Sequence, residues 1–202
     1  RVASTKDLFD REFKMIRDWD TNTKDTAKMK FFGERQRYKT DRAGFYSYDK
    51  NSIGFMYVHQ KETVKLGDAQ GMFFGVAADE FKLKDSGGSK ERAIALQAGY
   101  YWDKAYGDNR DEVLSLRTGG EFSNREMKRR FNVVDKGYKN EADYNTVGAF
   151  ADISYAWNKR LSPSVLVSPS VGMDVGARYI EGFTESGEVL PVKFKGGMYY
   201  TV

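Results

Sequence analysis

Long runs in which apolar residues alternate with polar or small ones constrain this chain more than any other feature. The clearest is SVLVSPSVGMDVGARYIE, residues 164–181. Val165, Val167, Pro169, Val171, Met173, Val175, Ala177 and Tyr179 share one face. Ser164, Ser168, Ser170, Gly172, Asp174, Gly176 and Arg178 share the other, with Leu166 as the break. Successive side chains of a strand point to opposite sides, so such a segment builds a sheet with one apolar and one polar-or-small surface. TVGAFADISYAWN sets Val147, Ala149, Ala151, Ile153, Tyr155 and Trp157 against Gly148, Asp152, Ser154 and Asn158, with Phe150 as the exception. Ile94, Leu96, Ala98, Tyr100 and Trp102 alternate with Ala95, Gln97, Gly99 and Asp103. Leu114, Leu116, Thr118 and Phe122 alternate with Ser115, Arg117, Gly119 and Glu121. The whole chain after residue 27 follows this period, so the fold class is all-β.

Length separates the kinds of sheet. Globular strands run about 5–6 residues, whereas several here exceed about ten, the length a tilted membrane-spanning strand needs. KLGDAQ, AYGDNRD and NKRLSP read as short turns; KDSGGSKER, RRFNVVDKGYKNEAD and the region opening at FTESG read as longer, charged loops. The two kinds alternate, as they do when short turns occupy one rim of a barrel and long loops the other. Aromatic residues gather near strand ends (Tyr100, Tyr101 and Trp102; Tyr155 and Trp157; Tyr179), as in interfacial girdles. A mean hydropathy of −0.67 and the lack of any long apolar run argue against membrane helices. They do not argue against a membrane barrel, whose strands show lipid only every second side chain. Gly54, Gly75, Gly99, Gly119, Gly148, Gly172 and Gly176 fall on the polar face and leave room inside a narrow lumen. A soluble β-barrel or sandwich explains the alternation equally well, but not the strand length, the loop asymmetry or these glycines.

One segment has a helical period. In STKDLFDREFKMIRDWD, Phe9, Phe13 and Ile16 fall at i, i+4 and i+7, flanked by Leu8 and Trp19. Ser4 or Thr5 is placed to cap it and Asp7 to lie in its first turn. Lys6, Asp10, Lys14, Arg17 and Asp18 form the opposite face, and TNTKDT reads as a connector. Periodicity alone puts such a helix on an ordinary core.

Evidence for chemistry is sparse. Lysine and arginine number 33 against 29 acidic residues, a well-mixed excess that argues against a nucleic-acid partner. The absence of cysteine removes disulfides and thiolate metal sites. No nucleophile-elbow, phosphate-loop or zinc pattern occurs, and the single His59, near a strand end, reads as a surface or rim residue. Asp79, Asp103, Glu121, Asp152 and Asp174 fall on inferred inner faces with Arg117 and Arg178. Opposite charges filling a wet barrel interior account for them better than catalysis does. The basic run NREMKRRF, residues 124–131, reads as a solvated loop or as a contact for acidic lipopolysaccharide at the outer rim. The opening RVASTKDLF, without a signal peptide, reads as a mature start or as a fragment of a longer chain.

AGFYSYDKNSIGFMYVHQKETVKLGDAQGMFFGVAADEFKLKD, then ALQAGYYW, then LVSPSVGMDVGARYIEGFTESG resemble, in order, successive strands of an autotransporter β-domain. The resemblance runs over roughly residues 28–202 and makes FTESG a rim loop. It implies an antiparallel transmembrane β-barrel with an N-terminal helix in its lumen. Residues 1–26 would be that helix and its connector, and 27–202 the barrel. Family barrels have twelve strands and close on an aromatic residue; about eight strands are counted here before YYTV, so the barrel is expected to be incomplete at its C-terminus. The implied function is export and anchoring of an N-terminal passenger, an adhesin or other surface protein, at the bacterial outer membrane. Outer-membrane lipid, the passenger and the barrel-assembly machinery are the implied partners, with no enzymatic activity and no cofactor. Arg117, Glu121, Asp152, Asp174, Arg178, Gly172 and Gly176 are the expected lumen-facing residues. Members that cleave themselves use an Asn in the helix; no Asn-Asn pair occurs and Asn22 lies beyond the helix, so self-cleavage has no support in these residues. The alternatives are a general outer-membrane pore, a small ligand-binding outer-membrane barrel, or a soluble β-barrel binding module.

Overall fold

A computed structural model describes residues 3–17, 24–40, 47–65, 67–85, 87–134, 136–162, 165–187 and 189–202, without the side chains of 3–5, 17, 160 and 166. The expectations for Ser4, Thr5, Arg17, Asp18, Trp19, Asn22, Ser164, Leu166 and the segment AGFY at 43–46 fall outside the described residues. One helix, α1 (Ala3–Arg17), comes first. It is followed by β1 (Thr26–Tyr38), β2 (Tyr48–Gln60), β3 (Ala69–Leu83), β4 (Lys90–Tyr106), β5 (Glu112–Val133) and β6 (Lys136–Trp157). A small hairpin of β7 (Lys159–Ser162) and β8 (Val165–Val167) leads to β9 (Ser170–Ile180). A second hairpin, β10 (Phe183–Thr184) with β11 (Lys193–Phe194), precedes β12 (Gly197–Thr201).

The main sheet has eight antiparallel strands in the order β1-β2-β3-β4-β5-β6-β9-β12. Among the described residues β1 pairs only with β2 and β12 only with β9, so the sheet is open. That agrees with the count of about eight strands, because a closed eight-stranded barrel is filled by its own side chains and has no space for a helix. The sheet nonetheless curls. Lys6 of α1 meets Asp174 of β9 while Glu12 meets Lys30 of β1. Those two helix positions are about 9 Å apart along the axis, and a flat sheet would hold the two strands about 29 Å apart. Among the described residues no helix is long and apolar enough to cross a membrane, which says nothing of strands.

Burial along the strands is inverted relative to a water-soluble barrel. The concave side buries Lys50, Asp79, Gln97, Asp103 and Arg125 to between 1% and 3% exposure. Their convex neighbours are large and apolar: Phe31, Ile53, Ile94 and Met173 are 55–76% exposed. An apolar cluster on the concave side joins α1 to the sheet, with Leu8, Phe9, Phe13 and Ile16 buried against Phe32, Met56, Phe73, Tyr101 and Phe150.

Several local expectations are corrected. α1 begins at Ala3, so Asp7 lies in its second turn rather than its first. RRFNVVDKGYKNEAD is not a loop: β5 and β6 run 22 residues each and project past β4 as a hairpin. Its many charges mimic a loop, but they alternate sides, and Phe131 stacks on Tyr138 at 6.0 Å across the strands. For the same reason NREMKRRF is strand, with Arg125 buried on Glu91 at 2.6 Å. KDSGGSKER is shorter as a loop than expected, since β4 starts at Lys90. The run 165–180 breaks at Ser168 and Pro169, where proline has no N–H for a ladder; Val165 and Val167 instead form β8, and NKRLSP contains β7 rather than a bare turn. VKFKGGMYYTV likewise divides at Lys195 and Gly196. FTESG is not a bare loop: Phe183 and Thr184 form β10, and Ser186 bridges to Glu141 on the projecting hairpin. Tyr101 does not belong to an outer girdle, because it points inward and is 1% exposed.

Candidate functional site

Glycine and phenylalanine shape the concave face. Cross-strand register sets Val58, Phe73, Gly99, Gly119, Phe150 and Gly176 in one row from β2 to β9. A Cβ added to Gly99 would come within 2.5 Å of the Phe73 ring, and one on Gly119 within 2.8 Å of the Phe150 ring. The glycines therefore let both rings lie across the sheet instead of standing up from it. Phe13 of α1 packs on this floor, 4.9 Å from Phe73 and 5.3 Å from Tyr101. Phe9 occupies the hollow over Gly75, where a Cβ would meet its ring at 2.8 Å.

Charges tie the helix to this floor. Lys6 Nζ lies 2.8 Å from Asp10 and 3.5 Å from Asp152, and also contacts Asp174. Arg117 donates from Nε to Asp152 at 2.7 Å and reaches Asp10 of the helix as well. Its guanidinium lies 5.0–5.6 Å from the centroids of Phe13, Phe73 and Phe150, a cation–π cage in a site shielded from water. At the β1 edge Lys30 meets Glu12 at 2.7 Å and Arg11 donates to Glu34 at 2.9 Å. Asp10, Asp152 and Asp174 offer oxygens within 4.8 Å of one another, but Lys6 and Arg117 already answer their charge.

The seven sequence-selected residues divide by contact. Arg117, Asp152 and Asp174 meet side chains of α1. Glu121 and Arg178 pair with each other, at 2.6 Å from Nε, and do not touch the helix ions. Both line a cavity of about 620 Å³ beside α1, together with Lys6, Asp174 and Gly176. Gly172 packs near Ser154 of β6. Of the other inferred inner carboxylates, Asp79 is buried with Lys50 at 3.7 Å and Asp103 is buried farther along β4. His59 lies at the sheet margin with Nε2 2.9 Å from Asp25. Sequence reasoning missed Phe150 as floor, although its break in the alternation marked it. It also missed Phe73, Lys30 and Glu34, which carried no distinguishing pattern.

A second constellation closes over the projecting hairpin. Arg129 makes a bidentate pair with Glu185, at 2.8 and 2.6 Å, beside the fully buried Asn140. Asn140 donates to Glu185 and to the carbonyls of Val189 and Leu190. Tyr144, Phe183 and Phe194 stack at 4.7 and 5.3 Å. The Arg129 guanidinium holds the Glu185 carboxyl below the usual carboxylate range against the opposing effect of burial, helped by the Val192 N–H and Asn140.

Neither constellation sets a nucleophile beside a base; what they do is hold a helix and a hairpin on a curled, inside-out sheet. Residues 27–202 match the model of the family described as autotransporter beta-domain. No curated protein matches the chain. With nearly the whole chain covered by that match, on a sheet of antiparallel strands with its polar side turned inward, the chain belongs to the autotransporter β-domain family, the bacterial outer-membrane translocators that export a linked passenger.

Proposed function

We propose that residues 27–202 sit in the bacterial outer membrane with the convex face against lipid. Residues 1–26 are then the lumen helix and its connector, through which an N-terminal passenger stays anchored. The observation that carries this reading is the inverted burial of the sheet, with α1 on its polar side. An apolar face this exposed is stable in hydrocarbon and a liability in water. The protein acts by geometry, as a conduit and anchor, and not as an enzyme.

Both sheet edges need partners there, since unpaired backbone groups cost several kcal/mol each in hydrocarbon. Further strands would close the barrel between β1 and β12 around α1. The end carrying the projecting β5–β6 hairpin faces outward, in keeping with the longer extracellular connections of such barrels. Arg117, Glu121, Asp152, Asp174, Arg178, Gly172 and Gly176 are then lumen residues, and the barrel-assembly machinery is the partner for insertion.

A reporter fused ahead of residue 1 tests the function in a host with an outer membrane. It should be digested by protease added outside intact cells. A reporter that stays protected, while the fused chain is present in the outer-membrane fraction, would refute export.

A further inference from the structure

The convex face carries an arrangement that strand pairing normally avoids. Register places Lys82 of β3 directly opposite Lys90 of β4, and Lys90 opposite Lys128 of β5. Such neighbours have Cβ atoms about 4.5–5.5 Å apart, and like charges there repel. Two pairs farther along, Arg130 stands opposite Lys139 across β5 and β6. Carboxylates answer part of this charge: Glu80 meets Lys82 at 3.2 Å, Lys128 meets Glu126 at 2.6 Å and its register partner Glu141 at 3.5 Å, and Asp49 stands opposite Lys82 on β2. Lys90, at the centre of the row, makes no ion pair among the described residues.

A groove with an apolar floor and a polar rim lies below the lysines on the same face. Ala78 is set between Ile53 and Ile94, with Asn124 beside Ile94, and its short side chain leaves a groove of about 530 Å³ whose upper edge is the row Asn51, Glu80, Arg92 and Glu126. From Lys82 to Ala78 is about 14 Å along the strand, a distance partly spanned by lysine side chains that reach along the surface. Below Ile53 the convex face is apolar, with Phe55, Phe74 and Leu96 in succession. A cation row at the upper margin of an apolar surface, above a groove floored by Ile53, Ala78 and Ile94, is complementary to an anionic headgroup carrying acyl chains.

We propose that this surface binds a phosphorylated lipid of the outer leaflet, with the phosphate on Lys82, Lys90 and Lys128 and an acyl chain over Ala78. The proposal rests on the membrane placement and orientation given above. The anion would relieve the repulsion within the row, so the protein and the lipid stabilise each other.

The test compares the wild-type protein, with both sheet edges paired as proposed above, with K82Q/K90Q/K128Q, each inserted in bilayer nanodiscs doped with diphosphorylated lipid A or its dephosphorylated analogue. Lipid retained after transfer to detergent is counted by native mass spectrometry. The wild type should retain the phosphorylated form preferentially. At about fivefold per lysine, the triple variant should lose about a hundredfold in affinity. Lys90→Gln alone should lose about fivefold, and Lys65→Gln, in the turn at the opposite end, nothing. Because surface ion pairs such as those of Lys82 and Lys128 contribute little and the repulsion within the row is relieved, the unfolding midpoint should not fall. Inorganic phosphate should leave the lipid bound; displacement by phosphate would mean a site for the free anion and overturn the proposal. Equal retention by wild type and triple variant, or of both lipids, would overturn it too and leave the membrane placement intact. Failure of the wild type to insert into any bilayer would instead overturn that placement.

Discussion

Arg117→Met isolates the charge that pins the helix. Methionine keeps most of the packing over Phe13, Phe73 and Phe150 while removing the guanidinium that joins Asp10 of α1 to Asp152 of β6. Both carboxylates then share Lys6 alone. Removing one partner of a fully buried pair costs about 3–5 kcal/mol. Here the Asp10 and Asp152 side chains keep 26% and 24% exposure, so water offsets part of the loss. We take about 2–3 kcal/mol in total, with about 1–2 of it assigned to the helix through Asp10. Native-state hydrogen exchange on lipid-embedded protein reads this directly. At about 1.4 kcal/mol per tenfold, amides of α1 should exchange about 5–30 times faster, while the β3 and β4 ladder stays protected. Asp10→Asn added to Arg117→Met should speed exchange much less than it does alone, because the two share one interaction. Unchanged α1 exchange, or equal loss of protection in helix and sheet, would refute the view that this ion network docks the helix.

Met173, exposed at 55% on the convex face, should not tolerate arginine: Met173→Arg costs about 2–4 kcal/mol near a bilayer midplane and should lower the folded yield in vesicles, whereas Ser170→Arg at the strand end should not. Gly99→Ala should lower the unfolding midpoint by the equivalent of about 1–3 kcal/mol, since its Cβ would lie 2.1 Å from the Thr118 carbonyl; Gly120→Ala, with 3.6 Å to its nearest neighbour, is the neutral control. Because Glu185 has its carboxyl pKa depressed in the folded protein, chiefly by Arg129, its contribution is present above the unfolded value of about 4.3 and is lost as pH falls through the lower folded value. Hydrogen exchange at β10 should therefore rise on acidification below about pH 4, and Glu185→Gln should make it fast at every pH.

The period of two was sufficient for the main sheet, because alternation records directly which face meets a different medium. It could not tell which face is inside, since a soluble barrel and a membrane barrel share the pattern. Composition misled at residues 129–143, where a charge-rich hairpin resembles a solvated loop until register shows Arg129 and Asn140 on one side and Arg130 and Lys139 on the other. The helix stripe was readable, and so were Arg117, Asp152 and Asp174 as concave residues. Their partnership with Lys6 and Asp10 was not, because it joins segments more than a hundred residues apart and depends on how the sheet curls. Phe150 shows the limit most clearly: its break in the alternation was visible, but its role emerges only with Gly119 and Phe73 beside it.

The membrane placement depends on which face of the sheet meets lipid, and a chain with no cysteine allows a clean scan. Single cysteines at each position from Val147 to Tyr155 of β6, labelled with a fluorophore in bilayers containing brominated lipid, read that face residue by residue. Labels at Val147, Ala149, Ala151, Ile153 and Tyr155 should be quenched, and those at Gly148, Phe150, Asp152 and Ser154 should not. Quenching with the opposite phase, or at all nine positions alike, would contradict an inside-out sheet with its helix in the lumen.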